Sequence, residues 1–151
     1  FDESGCPAMQ VRRLGPGDEA ATVAASRTFG EEGDLDATEF LARAETALIV
    51  AEDDQGITGW VYGHELVHPD GERTMLLYSL DVVERAQRHG IGTALVNAFV
   101  DHARAIECTE VWVLTEDTNA AGLATYRAAG GARDPDQPAM FTWKLAEGRH
   151  S

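Results

Sequence analysis

The chain sorts into runs of two different periods. Over Gly90 to Ile106, apolar residues fall on one helical stripe at Ile91, Leu95, Phe99, Ala103 and Ile106, the spacing of a helix that buries one face. Three β-rich runs precede it, Thr46 to Ala51, Ile57 to Val67 and Arg73 to Val83, split by Asp53-Asp54-Gln55-Gly56 and His68-Pro69-Asp70-Gly71. Turn sequences this short predict an antiparallel meander. Met9 to Leu14 alternates loosely and closes on Gly15-Pro16-Gly17-Asp18, which predicts a first strand turning into a helix. Ala-rich Asp18 to Phe29 favours helix. After the Gly30 to Gly33 break, Asp36 to Ala44 predicts a second short helix with Phe40 and Leu41 inward. Downstream of the long helix, Val111 to Leu114 is a short β run. Asn119 to Ala129 is a further helix, capped by Asn119 and ended by Gly130-Gly131, and Ala139 to Leu145 is a closing strand. The order strand, long helix, strand implies a crossover to a parallel neighbour.

This is an α/β (α+β) pattern in one domain, 9–146, with 1–8 as a flexible leader and 147–151 as a tail. The 151 residues are 44% hydrophobic and 25% charged, a composition that excludes collagen, coiled coil and disorder. No apolar stretch is long enough for a membrane span and no signal peptide is visible, so the expected compartment is the cytoplasm. Cys6 and Cys108 have no pairing pattern and read as free thiols. His64, His68, His89, His102 and His150 lack metal-ligand spacing, so no metal is expected. Trp60, Trp112 and Trp143 lie on expected strands and read as core or interface aromatics.

Charge narrows the choice of partner. Twelve Lys and Arg face 26 Asp and Glu, a net −14, and such a field repels nucleic acid and anionic membranes. A cationic partner fits better, although solubility alone explains acidity equally well.

The chemistry concentrates in Leu80-Asp81-Val82-Val83-Glu84-Arg85-Ala86-Gln87-Arg88-His89-Gly90-Ile91-Gly92-Thr93, a strand, a short loop and glycines at the start of the long helix. A helix N-terminus presents unpaired N–H groups and a positive dipole end, and glycines let an anion approach them. The spacing matches neither a P-loop nor the dinucleotide fingerprint.

Gln87-x-x-Gly90-x-Gly92 after the fourth strand, the amphipathic helix, the fifth strand, and Asn119, Tyr126 and Gly130 on the next helix together resemble the GNAT superfamily of N-acetyltransferases over Met9 to Leu145. That resemblance implies a mixed, mostly antiparallel sheet of six to seven strands, helices on both faces, and fourth and fifth strands splayed around acetyl-CoA. It implies that backbone groups of Leu80 and Val82 meet the pantetheine arm. It implies that the loop Gln87, Arg88, His89, Gly90, Ile91, Gly92 and Thr93 holds the pyrophosphate. It implies an N–H of Leu80 or Asp81 as oxyanion donor and Tyr126 as the acid for the departing thiolate. Asn119 either touches pantetheine or only caps its helix.

The acceptor amine needs a base. Tyr78 and Asp81 on the fourth strand and Glu116 and Asp117 after the fifth are the carriers at hand. Asp81 is the most unusual, since a carboxylate in an apolar strand is costly unless paired or wet. Strand alternation sets Tyr78, Leu80 and Val82 on one face and Ser79 and Asp81 on the other, unless a bulge resets it.

Within the superfamily, Val11-Arg12-Arg13-Leu14-Gly15-Pro16, Phe29-Gly30-Glu31, Tyr78-Ser79-Leu80 and Gly90-Ile91 with Thr93-Ala94-Leu95 are similar to the aminoglycoside 3-N-acetyltransferases. There an Asp follows the strand Tyr, whereas here Ser79 stands in that place. That group implies a polycationic acceptor ringed by Glu31, Asp34, Glu116, Asp117 and Asp136, with direct transfer and a homodimer as one possible assembly. Acetylation of another small amine, a polyamine or a protein amine, and a non-catalytic acetyl-CoA-binding module, stand as alternatives.

Overall fold

The computed structural model describes residues 9–134. Five strands form one sheet in the order β1-β2-β3-β4-β5: β1 Gln10–Leu14, β2 Thr46–Asp53, β3 Gly56–Val67, β4 Arg73–Val82 and β5 Glu110–Val113. The first four are antiparallel to their neighbours, and β5 joins β4 in parallel. Six to seven strands were expected, and five are present among the described residues. The chain after Val113 runs as loop before the next helix, and the remaining candidate, Ala139 to Leu145, lies outside the described residues.

The helices divide between the two faces. Helices α1 (Glu19–Thr28) and α2 (Thr38–Ala42) cover one face, where Ala25, Ala37 and Leu41 pack on Leu14, Leu48, Val50 and Trp60. Helix α3 (Ile91–Ala105) covers the other. Its Ile91, Leu95, Val96, Phe99 and Ala103 pack on Ala47, Ile49, Ala51, Val61, Met75 and Leu77. Helix α4 (Ala120–Ala128) lies beside α3. The expected apolar stripe is thus the buried one, with Phe99 and Leu95 fully enclosed. The second helix is shorter than its composition suggests, because Asp36 Oδ1 accepts from the Thr38 N–H at 2.9 Å and forms a turn there.

Two glycines of β3 allow α3 to sit this close. A Cβ on Gly63 would lie 2.0 Å from the Leu76 carbonyl oxygen and 2.7 Å from Phe99 Cζ, and one on Gly59 would lie 2.9 Å from Leu95 Cδ1. Any side chain at Gly63 displaces either a strand or the long helix.

Candidate active site

The site begins at an irregularity in β4. Along β3, Tyr62 pairs with Ser79, but the next residue, Gly63, pairs with Leu77, so Tyr78 is an extra residue in β4. Such a bulge shifts the alternation by one. Before it, Met75 and Leu77 face α3; after it, Leu80 and Val82 do. Tyr78 therefore does not share a face with Leu80 and Val82, as simple alternation has it. It stands with Ser79 and Asp81 on the α1/α2 side, its ring 5.6 Å from Tyr62 and 6.1 Å from His64.

The same point ends the pairing of β4 with β5. Their register runs from Thr74 and Glu110 to Leu77 and Val113 and stops there, while β4 continues to Val82. Beyond Leu77 the β5-side backbone groups of β4 have no strand partner among the described residues. Buried or half-buried groups of that kind call for a ligand or water.

The loop after β4 continues the opening. A 3-10 turn over Glu84–Ala86 leads to Gln87, whose Nε2 donates to the Val82 carbonyl at 3.1 Å. Arg88 (φ 69) and Gly90 (φ 77) both lie in the left-handed region. Gly90 adopts it freely, but Arg88 at a cost of about 1–3 kcal/mol, a strain that collects at functional sites. Gly90 is the N-cap of α3 and no side chain caps that end; the Ala94 N–H returns to Gly90 O at 3.0 Å. The N–H groups of residues 88–93 meet no acceptor among the described residues. These donors at the positive end of a fifteen-residue helix suit a diphosphate in number and direction.

Not every loop residue serves that end by its side chain. Ile91 is buried in the α3 core, His89 is exposed, and Thr93 is half-buried. Gly92 has a different reason for being glycine than the sequence suggested. A Cβ there would point at α4, 3.3 Å from Thr125 Cγ2, so the missing side chain admits the neighbouring helix.

Helix α4 brings Tyr126 to the site, half-buried against the α3 core. Burial, and secondarily the charge of Asp81, push its phenol above the usual tyrosine range, so it holds its proton. The two residues thus lie within electrostatic reach of one another. Asn119 caps α4: its Oδ1 accepts from the Gly122 N–H at 3.0 Å and its Nδ2 donates to Thr115 Oγ1 at 2.9 Å.

Asp81 is exposed but not loose. The Trp60 indole Nε1 donates to its Oδ2 at 2.9 Å and Ser79 Oγ to the same oxygen at 3.0 Å. Next to it the α1/α2 side of β3 carries Trp60, Tyr62 and His64, which with Phe29, Phe40 and Tyr78 form a continuous aromatic wall at centroid distances of 5.1 to 6.3 Å. Burial first, then Tyr78, Asp81 and Glu31, raise the Tyr62 phenol. This wall went unread in the sequence, although Trp60-x-Tyr62-x-His64 is a plain one-face alternation.

The expected acceptor carboxylates stand in different surroundings. Glu31 is half-buried near Tyr62, and Asp34 is exposed. Glu116 accepts from Thr118 Oγ1 at 3.5 Å, and Asp117 is ion-paired with Arg133. Asp136 lies outside the described residues. No cluster of metal-ligating side chains occurs among the described residues, and none of their helices is long and apolar enough to cross a membrane.

The stretch of chain that builds this opening matches a known family. The model of the acetyltransferase (GNAT) family matches residues 18–130. The chain belongs to the GNAT family of acetyltransferases. GNAT enzymes use acetyl-CoA, and both the bare amides of residues 88–93 and the unpaired edge of β4 fit that co-substrate. Among curated relatives, the mycothiol acetyltransferase of Sanguibacter keddieii is 32% identical over 140 residues, 84% of this chain. The chain spans 44% of that protein's length. Among solved structures, the aminoglycoside acetyltransferase meta-AAC0020 from an uncultured soil metagenomic sample superposes with a TM-score of 0.82 at 21% identity, over 91% of this chain and 97% of that one. Aminoglycoside N-acetyltransferase AAC(6')-Iy in complex with CoA gives 0.75 at 16%, over 93% and 97%. At these identities the two structures establish the fold.

Proposed function

We propose that this GNAT chain acetylates a primary amine of an aminoglycoside, the 3-amino group, by direct transfer within a ternary complex, and so confers resistance. The observation that carries the reading is the edge of β4 that β5 leaves unpaired beyond Leu77, leading into the bare amides of residues 88–93. The aromatic wall beside it, a net charge of −14 and the aminoglycoside acetyltransferases among its structural neighbours support a polycationic acceptor.

Acetyl-CoA, when bound, supplies an acetyl group activated as a thioester. The amides of residues 88–93 take its diphosphate, while the Gln87 N–H is engaged by the Glu84 carbonyl at 3.2 Å, and the backbone of Leu80 and Val82 aligns its pantetheine arm as an added strand. The N–H of Leu80 or Asp81 polarises the carbonyl, an effect worth about 3 kcal/mol of barrier when the donor is well aimed. Oδ1 of Asp81 receives the proton that the acceptor ammonium must lose, and the Tyr126 hydroxyl gives a proton to the departing sulfur. The Tyr78 ring and the Glu31 and Asp34 carboxylates hold the acceptor.

A thiol-release assay with acetyl-CoA tests the reading against sisomicin, gentamicin, spermidine and peptide amines, with the product's acetylated nitrogen located by NMR. Turnover of the aminoglycosides with a KM that rises with salt is expected, because the attraction is between many charges. No turnover of any aminoglycoside refutes the acceptor assignment. The 32% identity to a mycothiol acetyltransferase favours a second reading, an acceptor of the mycothiol kind, and selective turnover of such an amine decides for it.

A further inference from the structure

We propose that Trp60 is a positioning residue for proton transfer, acting through its indole N–H on Asp81; the inference rests on Asp81 as the base. The β3–β4 register sets Trp60 directly against Asp81. The indole Nε1 and Ser79 Oγ both donate to Oδ2, at 2.9 and 3.0 Å, and Oδ1 has no partner among the described residues. A carboxylate on a strand otherwise turns freely about its last torsion, which is broad and two-fold. Two donors on one oxygen remove that freedom and leave the other oxygen aimed out of the sheet.

The donor is itself immobile. Trp60 is 8% exposed, with the Phe29 ring at 5.1 Å on one side and Tyr62 edge-on at 5.2 Å. A phenylalanine would serve the packing. What only the indole adds is the N–H, and a buried indole N–H needs an acceptor. Here that acceptor is the group read as the base, on the same strand segment whose β5 side is open. Locked rotamers beneath a reacting group are what hold it within the small tolerance that catalysis requires. The other groups facing this carboxylate are Tyr62 on β3 and Tyr126 on α4, with Glu31 acting on Tyr62 from the segment after α1.

The test compares Trp60→Phe and Ser79→Ala in two backgrounds, the parent and Asp81→Glu, whose longer side chain carries its carboxylate away from the indole. The readout is kcat with sisomicin, or with whichever amine of the thiol-release panel turns over fastest. In the parent, Trp60→Phe lowers kcat about tenfold and Ser79→Ala about threefold, with the KM for acetyl-CoA changed less than about twofold. In Asp81→Glu both substitutions change kcat by less than about twofold, since the contact they remove is already gone. Asp81→Asn, losing about a hundredfold or more, supports the base reading; a loss under about threefold overturns that reading itself. If Asp81→Asn is crippled while Trp60→Phe and Ser79→Ala leave kcat intact, or lower it by the same factor in both backgrounds, the positioning role alone is refuted. Should Trp60→Phe melt below the assay temperature, the half-buried Ser79→Ala carries the same comparison.

Discussion

Adding one carbon at Gly92 tests whether this glycine serves the neighbouring helix or the bound anion. An ideal Cβ would lie 3.3 Å from Thr125 Cγ2, 3.7 Å from Thr125 Oγ1 and 3.8 Å from Val82 Cγ2. Carbon atoms rest about 3.5–4.0 Å apart, so Gly92→Ala is short by a few tenths of an ångström at one atom. Thr125 cannot turn away cheaply, because its Oγ1 is bonded to the Ala121 carbonyl at 2.9 Å. The relief is therefore a small retreat of α4, which carries Tyr126 next in sequence. Stability changes little: alanine gains about 1 kcal/mol of helix propensity over glycine, and mild overpacking costs about 1–3 kcal/mol. Turnover responds more. A misplacement of about 1 Å costs on the order of a hundredfold, so a third of that costs about fivefold. The backbone N–H stays in place, so CoA affinity is expected to hold. Thiol-release kinetics, calorimetry with CoASH and a melting curve read the three quantities separately. Thr125→Ala, which removes both atoms in the way, is expected to restore kcat on the Gly92→Ala background. An unchanged kcat with CoA affinity lost would refute the reasoning and return Gly92 to the anion.

Tyr126→Phe is expected to lower kcat by about a hundredfold and leave the KM for acetyl-CoA near its parent value, because the proton is needed in the transition state; equal losses in both contradict the acid role. Asn119→Ala removes the cap of α4 at a cost of about 1 kcal/mol and lowers the melting temperature by about 3 °C, with CoASH affinity unchanged since both ends of the side chain are engaged within the protein. A loss of affinity instead would make Asn119 a ligand. Burial raises both the Tyr62 and the Tyr126 phenols above the ordinary tyrosine value of 10.0. The folded state therefore keeps their protons longer than the unfolded chain, so stability is full below pH 10 and falls as pH rises past it. Melting temperatures from pH 8 to 11 check this, and Tyr62→Phe is expected to flatten the decline.

What was legible in the sequence was local. The stripe from Ile91 to Ala103 and the loop from Gln87 to Thr93 are contiguous patterns, and both lie where the pattern puts them. The meander followed from two short turns. What was hidden depends on partners far along the chain. That Tyr78 is an extra residue is visible only once β3 lies beside β4, because the bulge is a property of the pair. Asp81 is an expensive residue on its strand until Trp60, twenty-one positions earlier, is placed opposite it. Gly92 faces Thr125 of α4, a helix that lies more than two dozen positions further along the chain. The Asp117 carboxylate looked free for an acceptor until Arg133 came to meet it.

The one-residue slip at Tyr78 divides a single strand between two surroundings. Leu80 and Val82 turn toward the long helix, while Tyr78, Ser79 and Asp81 turn toward Tyr62 and His64. On the proposed assignment, substitutions in the aromatic panel retune which amine is admitted and leave the side of Leu80 and Val82 untouched. Deleting residue 78 would close the slip into a regular ladder, Ser79 following Leu77, and would cost the Tyr78 ring without turning the carboxylate inward.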